Sequence, residues 1–241
     1  NAPDFEDIAF VPNTSSGLAM ITTGLNWKKG DRIILNAMEF PSNIYPFMNM
    51  EQFGVEMDIV EPENGRVTVE SIAAKITPQT RMVAISFVQF LNGFKADLEA
   101  IGQLCKKHGI WFIVDGIQGV GVIPIDVQKY NIHALANGGH KWLMWPMGTA
   151  FLYINPQLLE KLRPAIAGWL SVKDSWNLFD YQLDFLDTAS RFQPGTLNFM
   201  GLLPARKVLE KFLQIGIDNI YNRIIQITDA LIDGFQELGL N

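Results

Sequence analysis

Cysteine is almost missing from this chain: one residue, Cys105, in 241. A single thiol excludes a framework of intrachain disulfides and fits a reducing, cytoplasmic compartment. Histidine is scarce as well, at three residues, and no His or Cys pair stands at ligand spacing, so no metal site is expected. No apolar run is long enough to cross a bilayer. Basic runs are absent too, and 19 Lys and Arg against 25 Asp and Glu leave a net charge of −6. Neither a nucleic acid nor an anionic membrane is therefore an expected partner. What is present is the composition of a compact protein, 48% hydrophobic and 18% charged. Cys105 itself falls on the apolar face of Leu98-x-x-Ile101-x-x-Leu104-Cys105, which makes it a core thiol rather than a nucleophile.

Short apolar runs alternate with helical patterns along most of the chain. Strands are expected at Ile8–Val11, Arg32–Leu35, Glu56–Val60, Met82–Phe87, Trp111–Val114, Ala134–Asn137 and Thr149–Ile154. Helices are expected near Ser15–Leu25, Ser42–Gln52, Val69–Ile76 and Ala96–Lys107, and later at Leu202–Leu213 and Asp218–Leu238. Lys106, Lys107 and His108 followed by Gly109 mark one helix end: cations against the dipole, then a glycine able to turn left-handed. Alternation of this kind gives an α/β fold, three layers αβα about a mainly parallel seven-stranded sheet. In such sheets ligands sit beyond the carboxyl ends of the strands, so residues at strand ends carry the functional reading.

Three strand ends stand out. Lys141 follows Gly138, Gly139 and His140, between an apolar run and the strand-like Gly148–Tyr153 segment. An amine placed there suits Schiff-base chemistry with an aldehyde; a plain strand-end lysine beside a tight turn is the alternative. Asp115 directly follows the wholly apolar Ile110–Val114, where a carboxylate needs a cationic or strongly donating partner. Pro12-Asn13-Thr14-Ser15-Ser16-Gly17 opens a helix. Its hydroxyls can be N-caps, or they can join the helix N-terminus in holding a phosphate.

Ile132 to Leu152 resembles the lysine signature of the class V aminotransferases, a branch of the fold type I enzymes that use pyridoxal 5′-phosphate. The match runs Ile132, His133, Ala134, Leu135, then Gly138, Gly139, His140, Lys141, and after a spacer Gly148, Ala150, Leu152. Asp115-x-x-Gln118 resembles the Asp-x-x-Gln of the same family, and Arg191-Phe192-x-x-Gly195-Thr196-x-Asn198 its Arg-Phe-x-x-Gly-Thr-x-Asn segment. The resemblance implies that Lys141 forms the Schiff base, Asp115 salt-bridges the ring nitrogen and Gln118 bonds the phenolic oxygen. It implies further that Thr14, Ser15, Gly138 and His140 surround the phosphate, with Gly195 and Thr196 reaching the phosphate of a partner subunit in a homodimer. Phe40 stands where related cysteine desulfurases carry a ring-stacking His, and Phe90 where some relatives carry a substrate-binding Asn. Phe40 can still stack on the ring, and Gln89 and Asn92 are the nearby candidates for substrate contact.

The function implied is a pyridoxal-phosphate enzyme acting at the α-carbon of an amino acid, with aminotransfer the first reading. Cysteine desulfurase or selenocysteine lyase, or an amino-acid epimerase, is the alternative within the family; a non-catalytic binding or regulatory protein on the same fold is the alternative outside it. The expected division is a cofactor-binding large domain over residues 1–215 and the start of a small C-terminal domain, or a connecting helix, over 216–241. Since the chain opens on Asn1 and family members are longer at both ends, it is expected to be a trimmed piece.

Overall fold

A computed structural model describes residues 1–240; Asn241, the last residue of the expected 216–241 segment, lies outside the described residues. The strands are β1 (Ile8–Val11), β2 (Arg32–Asn36), β3 (Glu56–Val60), β4 (Thr80–Ser86), β5 (Trp111–Asp115), β6 (Ala134–Gly138) and β7 (Ala150–Ile154). They form one sheet in the order β1-β7-β6-β5-β4-β2-β3. β7 runs antiparallel to both its neighbours, β1 and β6, and every other pairing is parallel. The mainly parallel seven-stranded sheet is thus present, with one reversed strand whose direction a five-residue apolar run could not reveal. Because β1 shares the direction of β6, the carboxyl ends of β1, β2, β4, β5 and β6 all open on one edge of the sheet, together with the entry to β7.

The helices are α1 (Thr14–Gly24), α2 (Tyr45–Met48), α3 (Val69–Ala73), α4 (Leu98–His108), α5 (Pro156–Leu159), α6 (Phe199–Ile215) and α7 (Ile217–Glu237). Alternate strand residues feed two cores, one on each face, as the two-residue period of a strand requires. Ile33, Leu35, Met82, Ala84, Ile113 and Ala136 join Leu18 and Ile21 of α1 on one side. Ile34, Val83, Ile85, Phe112, Val114 and Leu135 join Ile72 of α3 and Ile101 and Cys105 of α4 on the other. That is the three-layer arrangement. Cys105 is fully buried, and burial pushes its thiol up to about 12, as its place on the helix face foretold. Gly109 closes α4 in the left-handed region at φ 66°.

One expected helix does not run as a unit. Residues 42–52 break into a 3₁₀ turn (Pro41–Asn43), α2, and a second 3₁₀ stretch (Asn49–Phe53). Pro46 has no N–H and its ring excludes the preceding helical turn, so only a helix starting beside it survives. α6 starts a turn earlier than expected because Asn198 accepts from the Gly201 N–H and caps it there.

Candidate active site

The lysine loop is held by backbone and packing. After β6 the Gly139 N–H donates to the Thr149 carbonyl at 2.9 Å, and the Trp145 N–H donates to the Gly139 carbonyl at 2.8 Å. Trp145 is buried with its ring laid on Gly139, so that a Cβ there would sit 2.4 Å from the ring. Gly139→Ala therefore has to displace Trp145 or the loop. Overpacking of this kind costs about 1–3 kcal/mol, read as a lower Tm; an unchanged Tm would show that the ring gives way freely. Trp145 is packing, while Trp142 is half exposed. Lys141 itself is only partly buried, rather than enclosed between strands, and its Nζ lies 5.9 Å from the centroid of the Phe40 ring.

α1 reaches this loop because Gly17 lets the helix sit on β6: a Cβ at Gly17 would be 3.1 Å from that of Ala136. The consequence is a hydrogen bond from the Gly138 N–H to Thr14 Oγ1 at 2.9 Å. The cap of α1 is Asn13, whose Oδ1 accepts from the Ser16 N–H at 2.8 Å. The Thr14 and Ser15 hydroxyls are therefore not capping groups. Ser15 Oγ donates to Ser42 Oγ at 2.8 Å, which ties the helix start to the loop carrying Phe40. Gly138 spends its N–H on Thr14, and its lack of a side chain lets its neighbours close in on it. A Cβ at Gly138 would lie 3.0 Å from His140 Cε1, 3.1 Å from Thr14 Oγ1 and 3.1 Å from Ile117 Cδ1. Here the helix start, the His-Lys turn and the turn after Asp115 converge.

Asp115 ends β5 at 2% exposure. Its Oδ1 accepts from the Ile117 N–H at 2.9 Å. Burial pushes its carboxyl up to about 7; the Ile117 hydrogen bond pulls down, the Glu39 charge pushes up further and the Lys141 charge pulls down. A buried acid this reluctant to ionise is short of a cationic partner. Gln118 stands half-buried on the following turn, and no hydrogen bond among the described residues uses its amide.

Phe40 and Phe90, each 45% exposed, meet edge to face at 5.2 Å and form an aromatic wall beside Lys141. The two nearby candidates for substrate contact are otherwise engaged. Asn92 Nδ2 donates to the Gly65 carbonyl at 2.7 Å, and its Oδ1 accepts from the Phe94 N–H at 3.0 Å, which pins the loop after β4. Gln89 is buried, with Nε2 donating to Glu39 Oε1 at 3.0 Å. Asn92 is thus tied at both ends of its amide, while Gln89 Oε1 is buried without a partner among the described residues. Gly195 and Thr196 line an apolar groove of about 770 Å³ with Phe10, Ser16, Met20, Thr149 and Phe192; Lys141, Asp115 and Phe40 do not line it.

Sequence reasoning passed over Glu39, Asn36 and Ser86, which form a buried polar knot at the ends of β2 and β4. The signal was present: Asn36 and Ser86 close apolar strands, where a buried polar side chain needs a partner.

A lysine amine, a buried carboxyl and a helix N-terminus thus share one edge of a mixed α/β sheet. They describe a site for an anionic ligand bearing a group that bonds the amine. The chain belongs to the aminotransferase class-V family, whose model it matches over residues 1–240. It is 30% identical over 239 residues to a probable cysteine desulfurase of Pyrococcus abyssi, covering 98% of this chain and 59% of that protein. The uncharacterized aminotransferase YcbU of Bacillus subtilis is 26% identical over 235 residues, covering 98% and 62%. The apo structure of a cysteine desulfurase from Thermococcus onnurineus NA1 superposes with a TM-score of 0.88 at 26% identity, covering 98% of this chain and 59% of that one. The chain therefore spans about three fifths of the length of these relatives. Among the described residues no helix is long and apolar enough to cross a membrane.

Proposed function

We propose that this protein is a pyridoxal-phosphate enzyme that acts at the α-carbon of an amino acid, with Lys141 as its covalent and proton-transferring residue. The observation that carries the reading is the convergence of the partly buried Lys141, the buried Asp115 and the α1 N-terminus on one sheet edge. The site fits the cofactor. A carboxyl held near 7 by burial suits a ring-nitrogen proton, and the start of α1, with Thr14, Ser15 and the nearby His140, suits a phosphate. When bound, pyridoxal phosphate supplies an aldehyde for an amine and a ring that accepts the electrons released at Cα.

The side chains divide the remaining work. Lys141 Nζ would provide the amine that bonds the cofactor, and the same amine would take and return the proton at the substrate Cα. Asp115 holds a proton at the ring nitrogen, and Gln118 donates to the phenolic oxygen. Phe40 covers one ring face and, with Phe90, keeps water from that side. Aminotransfer is the reading favoured over sulfur release. Phe40 and Phe90 carry no group that relays a proton to a substrate, and Cys105 is buried with its thiol pushed up to about 12, unfit to accept sulfur. The test is a panel of amino acids given to the full-length protein, following keto-acid formation, sulfide and alanine release, and loss of optical purity in parallel. Keto-acid formation with conversion of the cofactor to its amine form is expected. Rapid sulfide release from cysteine without that conversion would overturn aminotransfer in favour of desulfuration.

The proposed working unit is a cytoplasmic homodimer in which Gly195 and Thr196 complete the partner's phosphate site. The apolar groove they line, which Lys141 and Asp115 do not, supports that arrangement. The proposed domain boundary at 215/216 is supported by Gly216, which at φ 85° separates α6 from α7, and by α7 adding no buried residue to either core. Mixing two inactive variants tests the shared site. A heterodimer of Lys141→Ala and Thr196→Trp subunits has one site with both lesions and one with neither, so activity should return to roughly half per heterodimer, a statistical expectation for closed twofold dimers. No recovery after proven subunit exchange would place Thr196 in its own chain's site or in none.

A further inference from the structure

Glu39 sits in the turn after β2 at 7% exposure and receives only donors. Its Oε1 accepts from Asn36 Nδ2 at 2.5 Å, the Ser86 N–H at 2.8 Å and Gln89 Nε2 at 3.0 Å; its Oε2 accepts from Ser86 Oγ. Three of these four partners can only donate and the Ser86 hydroxyl can donate too, a surrounding suited to the acceptor-only carboxylate form. No lysine or arginine among the described residues pairs with it. Neutral donors hold the charge in place without cancelling it, so its field passes to whatever lies beside it in a medium of low dielectric.

What lies beside it is Asp115. Ser86, which gives Glu39 two of its hydrogen bonds, stands opposite Asp115 in the β4–β5 register, and the Phe87 N–H donates to the Asp115 carbonyl at 2.9 Å. The charged groups that act on Asp115 are Glu39 from the β2 loop and Lys141 from the β6 loop, with the Ile117 N–H closing the near side. Like charge from Glu39 raises the proton affinity of Asp115, and that of any cation Asp115 grips.

We propose that Glu39 is a positioning residue that fixes a negative charge behind Asp115 and so strengthens the hold of Asp115 on the ring-nitrogen proton of the bound cofactor. The inference rests on the reading of the Lys141–Asp115 cluster as a pyridoxal-phosphate site. It reaches beyond that reading by giving the site a second acid, one that touches neither cofactor nor substrate. A purely architectural Glu39, tying the β2 loop to the β4 loop, would leave the ring nitrogen unaffected, and this separates the two roles.

The experiment uses full-length protein loaded with pyridoxal phosphate carrying ¹⁵N in the ring, and follows the nitrogen chemical shift against pH. Glu39→Gln should lower the midpoint of nitrogen deprotonation by roughly one pH unit or more. Adding Gln89→Glu to that variant returns a charge at the other end of the same hydrogen bond and should restore most of the shift. A loaded Glu39→Gln protein with an unmoved midpoint overturns the proposal. Should that variant fail to fold, Glu39→Asp keeps the charge but draws it back by one methylene; a smaller downward shift is expected, and no shift overturns the proposal. A wild-type protein with no bound ¹⁵N signal overturns the underlying reading and this inference with it, and is distinguished by that missing signal.

Discussion

Lys141→Ala should leave a folded protein that binds no cofactor covalently and has lost its activity by about 10²–10⁴-fold or more, the range spanned by removal of a general acid–base group alone. The fold should survive because the lysine loop is tied through its backbone. The Gly139 N–H goes to Thr149 and the Trp145 N–H to Gly139, while the Met144 N–H goes to the Lys141 carbonyl, and alanine keeps all three. No second amine stands ready in the site. Lys95 lies over the Tyr221 ring, and Lys129 is paired with Glu99. The checks are the visible absorption of the loaded protein and its Tm, read together. An alanine variant that keeps both the absorption and a borohydride-stable lysine adduct would mean another residue carries the cofactor.

Asp115→Asn is expected to have opposite effects on activity and on the stability of the cofactor-free protein. Removing one partner of a buried charge pair costs about 3–5 kcal/mol, on the order of 10²-fold or more in rate. Gln118→Ala removes one neutral hydrogen bond, about 0.5–1.5 kcal/mol, so its loss should be about tenfold at most. Equal losses would mean the two roles are misassigned. Without cofactor the sign reverses. Burial pushes the folded carboxyl up to about 7, where a free aspartate sits at about 3.9. Below the unfolded value Asp115 is protonated in both states and affects stability little. As pH rises toward 7 the unfolded chain releases the proton and the folded one keeps it, so wild-type stability falls; above the folded value the loss is complete. Asp115→Asn removes that loss and should be the more stable protein at pH 8 by up to roughly 4 kcal/mol, with little difference near pH 3. Denaturant melts across this range check it. A gap that does not grow between pH 4 and 7 would show that Asp115 ionises freely in the cofactor-free fold.

The strand ends were legible because strand and helix periods alternate cleanly, and because a parallel sheet gathers successive carboxyl ends on one edge. Lys141, Asp115 and Thr14 fall together for that reason, although 127 positions separate the first from the last. The reversed direction of β7 was not legible, since Ala150–Ile154 is apolar whichever way it runs. Pro46 was visible in the sequence, yet the apolar spacing around it still read as one helix. Glu39 was missed for a different reason. A glutamate in a strand-end loop is ordinarily solvated, and only the pairing of β2 with β4 reveals that Asn36, Ser86 and Gln89 enclose it. The partners of Gln89 and Asn92 were not legible either: as loop amides they looked free, and folding gives each amide nitrogen an acceptor.

The central claim is that Lys141 carries the cofactor. Its most direct test is borohydride reduction of the full-length wild-type protein as purified with pyridoxal phosphate, followed by peptide mass mapping. A single phosphopyridoxyl group on Lys141, in the peptide spanning Gly138–Trp142, is the expected result. A reduced protein whose Lys141 peptide is unmodified, with the adduct on another lysine or on none, would contradict the account.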